Sequence, residues 1–463
     1  MTRELTYTIT EAQLSALTGA PTVNAFLRAQ GLSRHIMTYL RHHENTLFLN
    51  DLPVHTNHPL QPGNVLHLVL REDERSAHIV PVAMPLAIVY EDEDLLVIDK
   101  PPFLPVQPSL GHREYTLGNA VTAYYDSQGI PFVYRCVNRL DRNTSGLLII
   151  AKNMASGAIL YDAVKERRIR RTYFALAEGR LDADAASLAA LPHAECVRPE
   201  EGGLFLPEGV TLRELGLTGP ELTKPESGNV SGLSAGGSPA GPESTLPASA
   251  GETHRSEITD ADGTATGEAA LRAAADAASG GRKDLLFAQT GASSAPARFP
   301  GAAVDAPIAR RCASMIERCV DEEKGQRAVT HFRTAFYNPG SDTTALLLSL
   351  DTGRTHQIRV HLSRIGHPLA GDFLYGGEAA QCSSDDAQRG GDDVRCGGSN
   401  DVRRSGDDVR RGSETQQKSA EITRHALHSC ALSFEHPITH RPLSFISRIP
   451  QDMVALCDGA GLS

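Results

Sequence analysis

Asn138-Arg139-Leu140-Asp141-Arg142-Asn143-Thr144-Ser145-Gly146-Leu147 sets one carboxylate between two guanidiniums, directly before an apolar run. Flanking cations favour an ionised Asp141 at neutral pH, a state suited to a nucleophile more than to a proton donor. The run Leu147-Leu148-Ile149-Ile150-Ala151 predicts a strand that is apolar on both faces, so the loop before it sits at the lip of a core. The same Asp, Asn, Ser and Gly also make an ordinary turn that satisfies its own backbone. A calcium loop is the third reading. It fails because its twelfth position needs an acidic ligand and carries Lys152.

The elements that must position this loop are legible around it. Ala87-Ile88-Val89-Tyr90, an acidic turn and Leu95-Leu96-Val97-Ile98 predict a hairpin that opens a second domain at about residue 80. Amphipathic helices are predicted over 117–128 and 154–167, and mixed strands and helices give an α+β fold class. Upstream, residues 1–75 read as a small α/β module. It has two short helices, the second capped by Ser33, followed by strands at 47–54 and 65–70. A further helix is predicted from Thr355 to Ile365, with Thr355 as N-cap, Gly366 as terminator and Ile358, Leu362 and Ile365 as its apolar face.

Two segments lack such periodicity. Residues 182–296 are rich in Gly, Ala, Pro, Ser and Glu and read as a disordered insertion, with Ala269–Ala278 as a transient helix. Residues 378–423 carry three Asp-Val-Arg units, at 393, 401 and 408, and read as a solvated low-complexity repeat. Removal of residues 186–292 is therefore expected to leave the fold intact. The net charge of −11 looks wrong for a binder of phosphates. Residues 181–300 contribute −9 and residues 378–423 contribute −3, leaving the remainder near neutrality at +1, so affinity for a polyanion would rest on local patches.

Eight cysteines occur without paired metal-finger spacing, which predicts free thiols and no zinc ribbon. Histidines 356, 361, 367, 425 and 428 find no convincing set of companion ligands and are read as hydrogen-bonding structure, with no metal; His425 and His428 could share one helical face. No run approaches membrane-spanning length, and no basic region followed by an apolar stretch opens the chain. The expectation is a cytoplasmic protein without a membrane partner.

Arg-Leu-Asp-x-x-Thr-Ser-Gly-Leu-Leu followed by Ala-Lys resembles the active-site signature of the RluA-type pseudouridine synthases, which isomerise uridines within RNA. Arg171-Thr172-Tyr173-Phe174-Ala175-Leu176 resembles the strand carrying that family's active-site tyrosine. Gly353 through Leu362, with Gly366 to Asp372 and Leu374-Tyr375-Gly376, resembles its third block, and Arg424 to Pro437 its closing strand. Residues 1–75 resemble the alpha-L RNA-binding motif, with Arg28, Arg34 and Arg41 on or near its helices.

The resemblance implies a pseudouridine synthase fold with a mixed β-sheet core over residues 80–463. It implies a reaction that detaches uracil from its ribose, turns it and rejoins it through carbon, with neither metal nor cofactor. Asp141 would be the nucleophile, attacking either the sugar or the ring. Tyr173 would face the uracil, and Arg359 would pair with Asp141. Asn138, Arg139, Thr144, Arg354 and Arg34 would contact RNA, after a uridine has flipped out of its stack. On residue types alone, Tyr173 reads first as a core aromatic, and a solvated arginine is the alternative for Arg354. One position departs from the pattern: Asn138 stands where the family usually has histidine, which an amide can replace if only a hydrogen bond is needed. The expected activity is pseudouridine formation in ribosomal or transfer RNA by a monomer. A noncatalytic RNA-binding protein that keeps the fold is the first alternative. A carboxylate-dependent nucleoside hydrolase is the second, disfavoured because no second carboxylate is marked by a motif.

Overall fold

The computed structural model describes residues 1–109, 113–182, 301–312, 316–376 and 422–458, with residues 188, 191, 193–197 and 214–217. The low-complexity repeat, the helix expected at 269–278 and most of the first insertion lie outside these residues.

The N-terminal part is a four-stranded sheet of order β1-β4-β2-β3, formed by β1 (Thr2–Thr8), β2 (Leu47–Leu49), β3 (Leu52–Pro53) and β4 (Val65–Arg71). Helix α1 (Glu11–Ser15) packs on it through the partly buried Leu14, and α2 (Val23–Ala29) and α3 (Arg34–His42) through Phe26, Leu27, Ile36 and Leu40. Ser33 caps α3 as expected, its hydroxyl accepting from the Ile36 N–H. The sequence reading missed β1, which buries only Leu5 as an edge strand and so carries almost no apolar pattern. Arg3 of β1 forks onto Asp94 at 2.9 and 2.7 Å, and Glu72 accepts from the Met154 N–H and pairs with Arg135. Charged pairs thus tie this unit to the next one.

The second unit is built on an eleven-stranded mixed sheet. Its strands are β5 (Ile88–Glu91), β6 (Leu95–Lys100), β7 (Arg135–Cys136), β8 (Ser145–Ala151), β9 (Arg170–Glu178), β10 (Ala194–Val197), β11 (Gly301–Asp305), β14 (Val329–Asn338), β15 (Thr343–Leu350), β16 (Leu427–Glu435) and β17 (Pro442–Ile446). The order runs β10-β11-β14-β15-β9-β16-β8-β6-β5, with β17 on β16 and β7 on β8; β12 (Ile308–Arg310) and β13 (Arg318–Val320) pair separately. Every residue of β8 is buried, as its uninterrupted apolar run requires.

Period-two alternation sorts β9 between two cores: Tyr173 and Ala175 join the face covered by α4 (Leu117–Asp126), while Phe174 and Leu176 face the C-terminal helix. Helix α5 (Met154–Lys165) covers β8 through Leu160 and Ala163. Helix α6 (Gln357–Arg364) lies on the Tyr173 face and α7 (Gln451–Asp458) on the other.

β8 and β16 pair in parallel, Ser145 opposite His428 and Gly146 opposite Ser429. Gly146 has φ +110°, and a Cβ there would lie 2.3 Å from the Ser429 carbonyl oxygen. Only glycine lets the two strands meet.

The structureless stretch expected from residue 182 is interrupted. Residues 194–197 add β10 to the sheet edge, and Leu215 and Leu217 are buried beside α7, where the Leu215 carbonyl accepts from the Ile449 N–H. A Gly- and Pro-rich composition concealed these short anchors, and excision of 186–292 would remove them.

Candidate active site

A cavity of about 700 Å³ opens where the loop before β8, strand β9 and the start of α6 converge. Asp141, Tyr173 and Arg359 all line it, with Asn138, Arg139, Thr144 and Arg354. Arg34 does not; it belongs with Arg28 and Arg41 to a separate groove of about 400 Å³ on the N-terminal unit.

Arg359 governs the charge of the cavity. Its Nη1 stands 3.8 Å from Asp141 Oδ2, while its Nε and Nη2 each donate to Asp372 at 2.7 Å. The sequence reading offered Asp141 as its carboxylate partner. The structure adds Asp372 as the close, bidentate one, leaving the third edge of the fork for Asp141. Burial works to raise the Asp372 carboxyl, but the Arg359 guanidinium holds it below the usual carboxylate range. Asp372 oxygen also accepts from the Leu374 and Tyr375 N–H groups, which folds the Tyr375 ring to 4.9 Å from the guanidinium. Asp372 was within the quoted third block but carried no assigned role.

The two arginines flanking Asp141 do not act as expected. Arg142 turns its Nε to the Phe103 carbonyl at 3.2 Å, and Arg139 is exposed at the cavity rim. The cation that faces Asp141 comes from α6, 218 positions downstream, so local sequence could not name it without the resemblance.

Helix α6 begins later than expected. Residue 356, not Thr355, occupies the N-cap, in the left-handed region at φ 58° and without a side-chain cap. Gln357 supplies the missing contacts: its Oε1 accepts from the Arg354 N–H at 3.0 Å and the Thr352 hydroxyl at 2.8 Å, and its Nε2 donates to the Val329 carbonyl. At the other end the expectation holds. Gly366, at φ +84°, closes a motif in which its N–H reaches the Ser363 carbonyl and the His367 N–H reaches the Leu362 carbonyl.

His356 also lines the cavity. The Tyr375 hydroxyl accepts from the Arg318 N–H, which leaves its proton for His356 Nδ1 at 2.8 Å. Burial lowers the His356 pKa, against the pull of Asp141. Asn138 is buried, and its Oδ1 accepts from the Ile149 N–H at 2.9 Å, pinning the loop to β8. Its Nδ2 is buried without a hydrogen-bond partner among the described residues, and the residue lines the cavity. Burial pushes the neighbouring Cys136 thiol up to about 12, so it serves as a donor to the Asn138 carbonyl and not as a thiolate.

Thr144 reaches the cavity wall, but its hydroxyl bonds His425 Nε2 at 2.7 Å, and Ser145 bonds His428 Nδ1 at 2.9 Å. The two histidines lie at the start of β16, not on a helix face. Lys100, also unassigned by the sequence reading, is fully buried, and its Nζ donates to the carbonyls of Pro101, Leu104 and Arg142 at 2.8, 3.0 and 3.0 Å. Burial and then the Arg424 cation lower it to about 7, against the pull of Asp141 and Asp99.

Among the described residues Asp92, Asp94 and His436 bring three ligand atoms within 4.8 Å of one another. All are already engaged. Asp92 takes Tyr90, His436 and two backbone N–H groups, while Asp94 takes Arg3, Asn153 and Ser156. The cluster is a junction between turns.

The family model described as RNA pseudouridylate synthase matches residues 94–203 and 300–364, which span the Asp141 loop, Tyr173 and Arg359. This match and the following relatives support the RluA-type pseudouridine synthase family. The chain is 27% identical over 438 residues to the uncharacterized RNA pseudouridine synthase YjbO of Bacillus subtilis, covering 95% of this chain and 99% of that one. It is 27% identical over 376 residues to ribosomal large subunit pseudouridine synthase D of Vibrio parahaemolyticus, covering 81% and 70%. Human RNA pseudouridylate synthase domain containing 1 superposes with a TM-score of 0.38 at 16% identity over 80% of this chain and 86% of that one. The protein is an RNA pseudouridine synthase, an isomerase, and no described helix is long and apolar enough to cross a membrane.

The synthase carries a built-in acid sensitivity. Burial drives His361 down to about 4 and both His425 and His428 down to about 3, from 6.5. Because the folded state holds these rings neutral, the unfolded chain binds more protons below pH 6.5. Stability is complete above that value and falls as pH drops toward 4, by up to about 1.4 kcal/mol per pH unit for each ring. Urea midpoints measured from pH 7.5 to 5 should fall, and His428→Gln should make the slope shallower; an equal slope would assign the sensitivity elsewhere.

Proposed function

We propose that this synthase converts a uridine of ribosomal RNA into pseudouridine with Asp141 as the nucleophile. The observation that carries the reading is the convergence of Asp141, Tyr173 and an Arg359 braced by Asp372 on one cavity of nucleotide size. In the reaction the bond between ring nitrogen and ribose carbon breaks and a bond from ring carbon to ribose carbon forms. That ring carbon loses a proton and the freed nitrogen gains one. Asp141 attacks the sugar or the ring; Arg359 orients the attacking carboxylate, and Tyr173 backs the base. Asn138 holds the loop through Ile149, and its buried, unpartnered Nδ2 would reach the flipped nucleotide only if the loop shifts.

RNA phosphates meet a basic rim. Arg139, Arg354, Lys165 and Arg171 all border the cavity, the first three of them exposed. Residues 1–75 form an RNA-binding module, with Arg28, Arg34 and Arg41 as its phosphate contacts. Residues 80–463 form the catalytic domain, interrupted by the two insertions. The choice of ribosomal over transfer RNA follows the names of the relatives, and a cytoplasmic monomer is part of the same proposal.

Mapping pseudouridines in total RNA from cells with and without the protein tests this. The expected result is one or a few ribosomal positions lost in its absence and restored by added enzyme. Binding without any modified position would instead favour the noncatalytic reading, and release of free uracil a hydrolase.

A further inference from the structure

Four consecutive residues after Asp141 are each held by a buried side chain from elsewhere in the chain. Lys100 grips the Arg142 carbonyl at 3.0 Å, Arg424 Nη1 the Asn143 carbonyl at 3.2 Å, His425 the Thr144 hydroxyl and His428 the Ser145 hydroxyl. Arg424 is the hub. It is fully buried, and Nη1 also donates to the carbonyls of His425 and Leu427, at 3.4 and 3.3 Å.

A buried guanidinium needs a counter-charge, and Arg424 finds it in the C-terminal helix: Nε and Nη2 donate to the two Asp452 oxygens at 2.7 and 2.9 Å. Asp452 is itself 39% exposed, in the first turn of α7 and on the far face of the sheet from Tyr173. We propose that Asp452 is a positioning residue for the isomerisation, setting the orientation of the Arg424 fork and through it the height of the Asp141 loop in the cavity. The inference rests on the assignment of Asp141 as nucleophile. It extends the reacting unit to a carboxylate that touches no substrate.

Asp452→Asn keeps the shape and removes the charge, so the fork is free to rotate off Asn143. The test uses the full chain and total RNA from cells lacking the enzyme. It reads the single-turnover rate at the mapped position, the enzyme concentration giving half-maximal rate, and deuterium uptake over 139–146. Because displacement of a reacting group by about 1 Å costs up to ~100-fold, the rate should fall about tenfold or more, with the half-maximal concentration changed less than about threefold. Uptake over 139–146 should rise while uptake over 343–350 stays unchanged, and Asp452→Glu should recover at least about half of the rate. A wild-type rate in Asp452→Asn beside an inactive Asp141→Asn overturns the positioning role alone. An active Asp141→Asn overturns the nucleophile assignment and this inference with it. Should Asp452→Asn fail to fold, Arg424→Lys decides. Lysine keeps the cation but cannot reach Asp452 in two-point fashion and Asn143 together, so an unchanged rate overturns the proposal.

Discussion

Asp141→Asn is expected to lower pseudouridine formation by more than about 10⁴-fold, the scale on which loss of a nucleophile is felt, while RNA binding changes little. The amide is isosteric, and the backbone turn in which the Thr144 N–H reaches the Asp141 carbonyl at 3.1 Å does not depend on the side chain. What disappears is the charge opposite Arg359 and the lone pair that attacks. Binding should survive because the basic rim is separate from the carboxylate. Single-turnover assays at saturating enzyme, paired with filter binding of the same RNA, separate the two effects. Product at the wild-type rate would remove Asp141 from the chemistry.

Asp372→Ala should be costly in a different way. Arg359 is 7% exposed and directs two of its three polar edges at Asp372, so truncation leaves a buried cation with half its partners missing. Breaking such a pair costs about 3–5 kcal/mol. The turn that Asp372 closes over Leu374 and Tyr375 would loosen as well. In the fraction that still folds, Arg359 is free to close onto Asp141 as a tight ion pair, and the rate should drop by about 100-fold. Urea denaturation and single-turnover rates measure both. The double variant Arg359→Met/Asp372→Leu should regain most of the stability, since apolar groups tolerate the site, and none of the activity. Recovery of activity in that variant would mean that Arg359 is structural.

The parts of this molecule that were readable in the sequence are those with a local cause. The β8 strand follows from an unbroken apolar run, α6 from a spacing of Ile358, Leu362 and Ile365, and its end from Gly366. Asp141 stood out because a polar loop abuts that strand. The parts that were not readable depend on partners far away in sequence. Nothing near Arg359 indicates that Asp372 occupies two edges of its fork, nothing near Lys100 that it ends on the Arg142 carbonyl, and nothing near Thr144 that His425 engages its hydroxyl. Thr355 was a reasonable cap by type, yet a long side chain at Gln357 performs that work from inside the helix. Leu215 and Leu217 were concealed by their surroundings, because two leucines in a polar stretch have no period to betray burial.

The parallel seam between β8 and β16 carries a consequence for biogenesis. Hydrogen bonds from Arg424 and His425 back to residues 143 and 144 span 281 positions and bridge both low-complexity stretches. A ribosome-bound nascent chain therefore holds the Asp141 loop unfastened until Arg424 and His425 emerge. Closure of so long a loop comes late and slowly among folding events. Catalytic competence would then switch on only after Arg424 and its partner Asp452 have both been made.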